Sequence, residues 1–138
     1  MNVYLDTSVV LRRLLGQPKA LAHWGNWERV YASVLLRVEA LRSMDRLRLE
    51  GVVDDVQRVA LSRQLQIVCD AVYLVPVTEA ILDHAGTPFP TVVGTLDAIH
   101  LTTAMVVRQQ EKIELTFLTH DQRLALAAQS LNFLVEGV

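Results

Sequence analysis

The chain has 138 residues, 51% of them hydrophobic, with a formal net charge of −2 and a pI near 6.0. That length and apolar content suffice for a two- or three-layer core and exclude intrinsic disorder, while the acidic balance excludes a protein that holds nucleic acid by net charge alone. Any attraction to a polyanion must come from local arginines or bound cations.

No apolar run reaches the ~18 residues of a membrane span, and the first apolar segment is interrupted by Asp6 and by Arg12 and Arg13. A cytoplasmic protein with no membrane helix or signal peptide is expected. The single Cys69 excludes an internal disulfide and a cysteine-rich zinc site, and reads as a small buried hydrophobe.

Val3, Tyr4 and Leu5 predict a short strand that ends at Asp6, Thr7 and Ser8, and residues 9–15 carry helical apolar spacing up to Gly16, with Pro18 beyond. Residues 17–26 are polar and irregular and lead into His23, Trp24 and Trp27. A second strand is expected at residues 30–32, then a helix over 34–49 that Ser33 can cap and Gly51 can close. Asp54 or Asp55 opens a further helix to about residue 68, and the β-branched and aromatic residues 72–77 predict a third strand. Thr78 caps a short helix to about residue 85, after which Gly86, Pro88 and Pro90 mark a loop that ends at Gly94.

Thr95 has the side-chain oxygen of an N-cap for an apolar helix reaching about Gln110, which puts Asp97 in the first turn, where the helix dipole favours an ionised acid. A fourth strand is expected over 113–118, a last helix over 122–130 and an edge strand over 132–135. No repeat, low-complexity tract or linker divides the chain, so one domain over 1–138 is expected. Strands separated by helices at this spacing predict an α/β fold with a mostly parallel sheet of four to five strands covered on both faces. In such sheets the functional crevice lies beyond the carboxyl ends of the strands.

Applied to this chain, that rule brings Asp6, after the first strand, and Asp121, after the fourth, to the same edge. Glu39, about two turns into the helix after the second strand, and Asp97 can join them. Each has an ordinary alternative: Asp6, Asp97 and Asp121 as helix-start or loop acids, Glu39 as a surface partner of Arg42. Convergent carboxylates repel by about 4 kcal/mol per pair at ~4 Å and an effective dielectric of 20, so they are separated, protonated or bridged by a cation. An all-oxygen donor set implies Mg²⁺ or Mn²⁺, because His23, His84, His100 and His120 are not spaced as a zinc motif. His100, one turn after Asp97, reads as a satisfied helix histidine that can reach the site. Hard cations on carboxylates suit phosphodiester hydrolysis, and neither a nucleophilic triad nor a glycine-rich phosphate loop is present.

The segments Val3-Tyr4-Leu5-Asp6-Thr7-Ser8, Glu39 after Ser33, Thr95 to Ala104 around Asp97, and Phe117-Leu118-Thr119-His120-Asp121 followed by Gln122 to Ala125 together resemble the PIN-domain nucleases, specifically the VapC-like toxins of type II toxin–antitoxin pairs. The likeness runs in order along almost the whole chain. It implies a three-layer α/β/α sandwich and a Mg²⁺- or Mn²⁺-dependent endoribonuclease whose metal-binding acids are Asp6, Glu39, Asp97 and Asp121. It also implies supporting hydroxyls at Thr7, Ser8 and Thr119. Two departures from the family pattern stand out: a short stretch with two tryptophans between Asp6 and Glu39, and Asn132 where a glycine often follows the last helix.

Arg42 and Arg46 fall on the Glu39 face of their helix at 100° per residue and, with Arg12, are candidate RNA contacts; the alternative is pairing with Glu39 and Glu50 or simple solvation. Trp24 and Trp27 can stack on unpaired bases or pack beneath their loop. The surplus of apolar residues in 9–15 and 34–49 suits a homodimer or a bound antitoxin segment. Two rival enzymes or binders lack a residue: an aspartate-nucleophile phosphatase needs an acid where Ser8 stands, and a phospho-acceptor receiver needs a lysine after the fourth strand. A catalytically inactive PIN-like scaffold is the remaining alternative.

Overall fold

The computed structural model describes residues 1–138. Five strands, β1 (Asn2–Leu5), β2 (Arg29–Ser33), β3 (Tyr73–Val75), β4 (Thr116–Leu118) and β5 (Leu134–Glu136), form one sheet in the order β3-β2-β1-β4-β5, with every pair parallel. The chain starts in the middle, builds outward to β3, then crosses back to the other side of β1. That reversal makes the β1/β4 boundary the switch point, where the loops leaving the two strands diverge and open a crevice.

Strand alternation sends neighbouring residues to opposite faces. Val3, Leu5, Ala32 and Leu118 pack against α1 (Thr7–Leu14), α2 (Leu35–Leu49) and α3 (Asp55–Ala71), burying Val9, Val10, Leu36, Ala40, Met44, Leu61 and Leu65 with them. Tyr4, Tyr31 and Phe117 face the other way, where α5 (Thr95–Glu111), α6 (Gln122–Ser130) and the short α4 (Glu79–Ala85) complete the three-layer α/β/α sandwich. α5 is buried along Ala98–Ala104 without interruption, as expected of a helix wedged between a sheet and flanking helices.

Several boundaries differ from the sequence expectation, each for a local reason. Gly94, not Thr95, is the N-cap of α5, and Thr95 is the first helical residue with no side-chain capping bond. Ser33 ends β2 and still takes the Leu35 amide on its Oγ at 3.1 Å, so Val34 occupies the N-cap position of α2. Asp54 and Gln57 form a reciprocal capping box at the start of α3, which runs on to Ala71 and shortens β3 to three residues. Residues 113–115 are irregular, and β4 begins only at Thr116. Asn132 sits at φ +61°, the left-handed conformation that asparagine tolerates better than most residues. The Arg108 guanidinium lies 3.9 Å from the Phe133 ring centre and donates to the Leu131 and Asn132 carbonyls, fastening this turn to α5.

Candidate active site

Each strand-end acid is also the cap of the helix that follows. Asp6 caps α1, accepting the Ser8 amide on Oδ2 at 3.3 Å, and Asp121 caps α6, accepting the Arg123 and Leu124 amides on Oδ1 at 2.8 and 3.1 Å. The ordinary reading of both residues is therefore correct, yet it uses one oxygen of each. The Asp6 Oδ2 also accepts the Ser8 hydroxyl and the Thr119 hydroxyl, the latter at 2.9 Å, while Asp6 Oδ1 and Asp121 Oδ2 have no protein partner.

Ser8 and Thr119 join the two strand ends. The Ser8 hydroxyl, besides donating to Asp6, accepts the His120 amide at 3.0 Å, and the Thr119 hydroxyl accepts the Asp121 amide at 3.0 Å. Beneath them the Asp6 amide donates to the Leu118 carbonyl at 3.0 Å, continuing the β1/β4 ladder by one bond. Hydrogen bonds to a charged acceptor are each worth about 1.5–3 kcal/mol, enough to fix the aim of a buried carboxylate. Gly137 backs this arrangement: at φ +109° it lies so close to the Thr119 carbonyl that a Cβ there would stand 2.4 Å from the oxygen.

Glu39 reaches the same edge from α2. Its Oε1 accepts the Thr7 hydroxyl at 3.0 Å and faces His100 Nε2 at 2.6 Å, leaving Oε2 without a protein partner. Asp97 makes no side-chain hydrogen bond and is half-buried in the first turn of α5. Burial raises the Asp97 pKa, and the charges of Asp6, Asp121 and Glu39 raise it further against the opposing pull of His100. That pattern of causes registers the four acids as one electrostatic neighbourhood. Burial pulls the His100 imidazolium down, but the Glu39 hydrogen bond and the charges of Glu39, Asp6 and Asp97 outweigh it and leave His100 raised. Tyr4, fully buried, is held far above the ordinary phenol range by burial and by the charges of Asp6 and Glu39, so it remains neutral.

The donor set matches what a hard divalent cation takes: carboxylates only, each of three anchored through one oxygen with the other spare, and a fourth, Asp97, wholly unengaged. No three acidic or imidazole side chains have closed to coordination distance around a single point, so the acids share the crevice without collapsing on its centre.

Arg42 and Arg46 are exposed, lie on the α2 face beyond Glu39, and border a hollow of about 410 Å³ with Ser43, Asp45 and Leu49. Neither forms the expected alternative pair with Glu39 or Glu50; the arginine ion pairs of this helix are made by Arg48 with Asp45 and Asp55. Arg12 is half-buried on α1 and unpaired. The tryptophans do not join the acids. Trp24 and Trp27 pack edge-to-face at 5.3 Å against the α1–α3 core, beside a cavity of about 620 Å³ at the amino ends of β2 and β3.

Sequence reasoning placed His100 within reach of the site without naming Glu39 as its partner, and it missed Tyr4. His100 reads as a helix residue near the site, and only the structure brings its ring from α5 across the carboxyl edge of the sheet to Glu39 on α2; Tyr4 reads as a strand aromatic. The available signal was chemical: a tyrosine alternating into a sheet core must find a partner for its hydroxyl.

A family model described as PIN domain matches residues 3–129. Over 139 residues the chain is 30% identical to "Ribonuclease VapC47" of Mycobacterium tuberculosis (strain CDC 1551 / Oshkosh), covering 95% of this chain and 93% of that protein. Its fold is similar to a chain in the crystal structure of FitAcB from Neisseria gonorrhoeae, with a TM-score of 0.66 and 20% identity over 96% of this chain and 95% of that one. Since the family match begins within β1, ends within α6 and so spans all four acids of the crevice, the chain belongs to the PIN-domain family.

Proposed function

We propose that this chain is a metal-dependent endoribonuclease that hydrolyses RNA phosphodiester bonds, the toxin of a VapC-like toxin–antitoxin pair, built as one nuclease domain over residues 1–138. The observation that carries the reading is the convergence of Asp6, Glu39, Asp97 and Asp121 at the switch point of a parallel sheet, with spare oxygens on all four. Likeness to a protein named as a ribonuclease supports RNA as the substrate.

In this reading Asp6, Asp97 and Asp121 hold Mg²⁺ or Mn²⁺, and Glu39 holds a second ion or orients the attacking water. The bound cation supplies charge neutralisation at the phosphate and a lowered pKa for the attacking water. The chain's own groups do the rest. Ser8 and Thr119 fix Asp6, Thr7 and His100 fix Glu39, and the spare Glu39 oxygen is available to take a proton from water. Arg42 and Arg46 extend the site along α2 as cations for the RNA backbone, and Arg12 adds a third.

A small antitoxin that covers this crevice is the proposed protein partner, with a homodimer as the second assembly and the cytoplasm as the place of action. Val34, at the N-cap of the helix that carries Glu39, and Val38, within it, are 45% and 51% exposed and support an apolar contact beside the acids. No helix is long and apolar enough to cross a membrane. The rival reading is a catalytically inactive PIN-like scaffold.

Cleavage of a mixed cellular RNA pool by the purified protein with Mg²⁺ or Mn²⁺, beside an EDTA control and Asp97→Asn, decides between them. Discrete products that need both the metal and Asp97 are expected, with the variant at least ~100-fold slower, beyond the loss typical of a ligand's outer partner. No cleavage and no heat on titration with Mn²⁺ would leave the scaffold.

A further inference from the structure

Among the four acids, Glu39 differs in how it is held. Asp6 and Asp121 are fixed by backbone amides at helix starts, and Asp97 lies in a first turn where free amides and the helix dipole favour it. Glu39 stands in the second turn of α2, where the backbone amides are already spent on the helix itself, so only side chains can aim it. Two do so, both on Oε1: the Thr7 hydroxyl and the His100 ring.

The His100 ring is in turn held at its far side. Tyr4 extends from β1 into the α5 layer, fully buried and stacked on Phe117 with ring centres 5.1 Å apart. Its hydroxyl accepts the Ser33 amide at 3.1 Å and lies 2.8 Å from His100 Nδ1. Nε2 faces an oxygen of a carboxylate, which only accepts, so Nε2 carries a proton whether the ring is neutral or charged. With both nitrogens engaged, the ring cannot turn without losing two hydrogen bonds in a buried setting. The chain of hydrogen bonds also closes on itself: Ser33 is the last residue of β2, and the helix that follows β2 carries Glu39.

We propose that His100 is a positioning residue for Glu39, locked by Tyr4 and the Ser33 amide so that Oε1 is pinned and Oε2 is presented to the crevice. This deepens the nuclease reading and rests on it. The relay spans β1, β2, α2 and α5, so it ties the aim of one acid to the packing of the sheet against both helix layers. Partners of this kind, one bond removed from a metal ligand, typically change metal affinity by about 10–100-fold when removed.

Two substitutions separate the ring's two bonds. In His100→Gln the side-chain amide nitrogen can stand where Nε2 stood and still donate to Glu39; in His100→Asn it stands near Nδ1 and cannot. The experiment is Mn²⁺ titration by calorimetry on the full chain, with circular dichroism melts to confirm folding, for wild type, His100→Asn, His100→Gln, Tyr4→Phe and Asp97→Asn. The expected result is binding weakened about 10–100-fold in His100→Asn, recovered to within a few-fold of wild type in His100→Gln, and intermediate in Tyr4→Phe. A folded His100→Asn that binds Mn²⁺ as wild type does would overturn the inference.

Long-range ¹H–¹⁵N spectra of metal-free wild type and Glu39→Gln provide a readout that needs neither metal nor a foldable His100 variant. A proton on His100 Nε2, with its nitrogen shift altered in Glu39→Gln, is expected, and a ring protonated only at Nδ1 would overturn the relay. Absence of Mn²⁺ binding by wild type would count against the nuclease reading instead, and the ring spectrum would then decide the relay by itself.

Discussion

At the carboxyl edge of the sheet, four acids occupy a crevice in which the Thr7, Ser8 and Thr119 hydroxyls are aimed at carboxylates; at the amino edge, Trp24, Trp27, Ile67 and Tyr73 border a cavity of about 620 Å³ that none of those acids lines. The volume of a hollow is thus a poor guide to chemistry here. The walls of that cavity are mostly apolar, and its one buried polar group without a partner is the Trp27 ring N–H. What separates the two ends is the density of oriented donors and the raised Asp97, both signs of charge held against repulsion.

The comparison breaks most severely at Gly137. Gly137→Ala forces a Cβ to 2.4 Å from the Thr119 carbonyl at a φ of +109°, so the strand end that presents Thr119 to Asp6 must shift. A destabilisation of about 1–3 kcal/mol, the usual size of such strain, is expected in chemical denaturation, together with loss of RNA cleavage. A wild-type melt with full activity would show that the C-terminal strand does not support the acid end.

Arg42 and Arg46 test how far that end extends along α2. The double change to alanine is expected to weaken RNA binding several-fold and to reduce the slope of log affinity against log salt by about 1 for each phosphate left without its arginine. Equal slopes for wild type and variant would confine the RNA site to the acids.

Asp97 sharpens the comparison through pH. Its folded pKa is raised, so the folded state binds this proton more tightly than the unfolded chain, and the ionised acid costs stability at pH values above its folded pKa. That cost is relieved as the pH falls through the raised value. In EDTA, Asp97→Asn is therefore expected to melt slightly above wild type at neutral pH, with the gap closing on acidification. A variant that melts below wild type at pH 7 would contradict the repulsion.

The smallest effect belongs to the amino edge. Trp27→Phe removes a buried N–H that has no partner, and is expected to leave RNA cleavage unchanged and to alter stability by under about 1.5 kcal/mol. A large drop in cleavage would put the tryptophan loop in the RNA path.

The alternation of short apolar strands with helices, the acids at strand ends, and the bounds of α6 were legible because each depends on local pattern and capping chemistry. The order β3-β2-β1-β4-β5 was implied only as a parallel sheet, and the three-residue length of β3 and β4 escaped notice because β propensity does not say where neighbouring strands stop pairing. The N-cap of α5 moved from Thr95 to Gly94 because a helix starts where the chain geometry permits, whatever hydroxyl stands nearby.

By itself the sequence determined which residues bear charge, which alternate into a core, and that Asp6 and Asp121 leave the same edge of a parallel sheet. Only the tertiary structure decided that Tyr4, Ser33, His100 and Glu39, separated by up to 96 positions for the Tyr4–His100 bond, form one buried relay. The physical reason is that hydrogen-bond partners in a core are chosen by how the layers pack on the sheet, and no local spacing rule records which distant side chains will meet there.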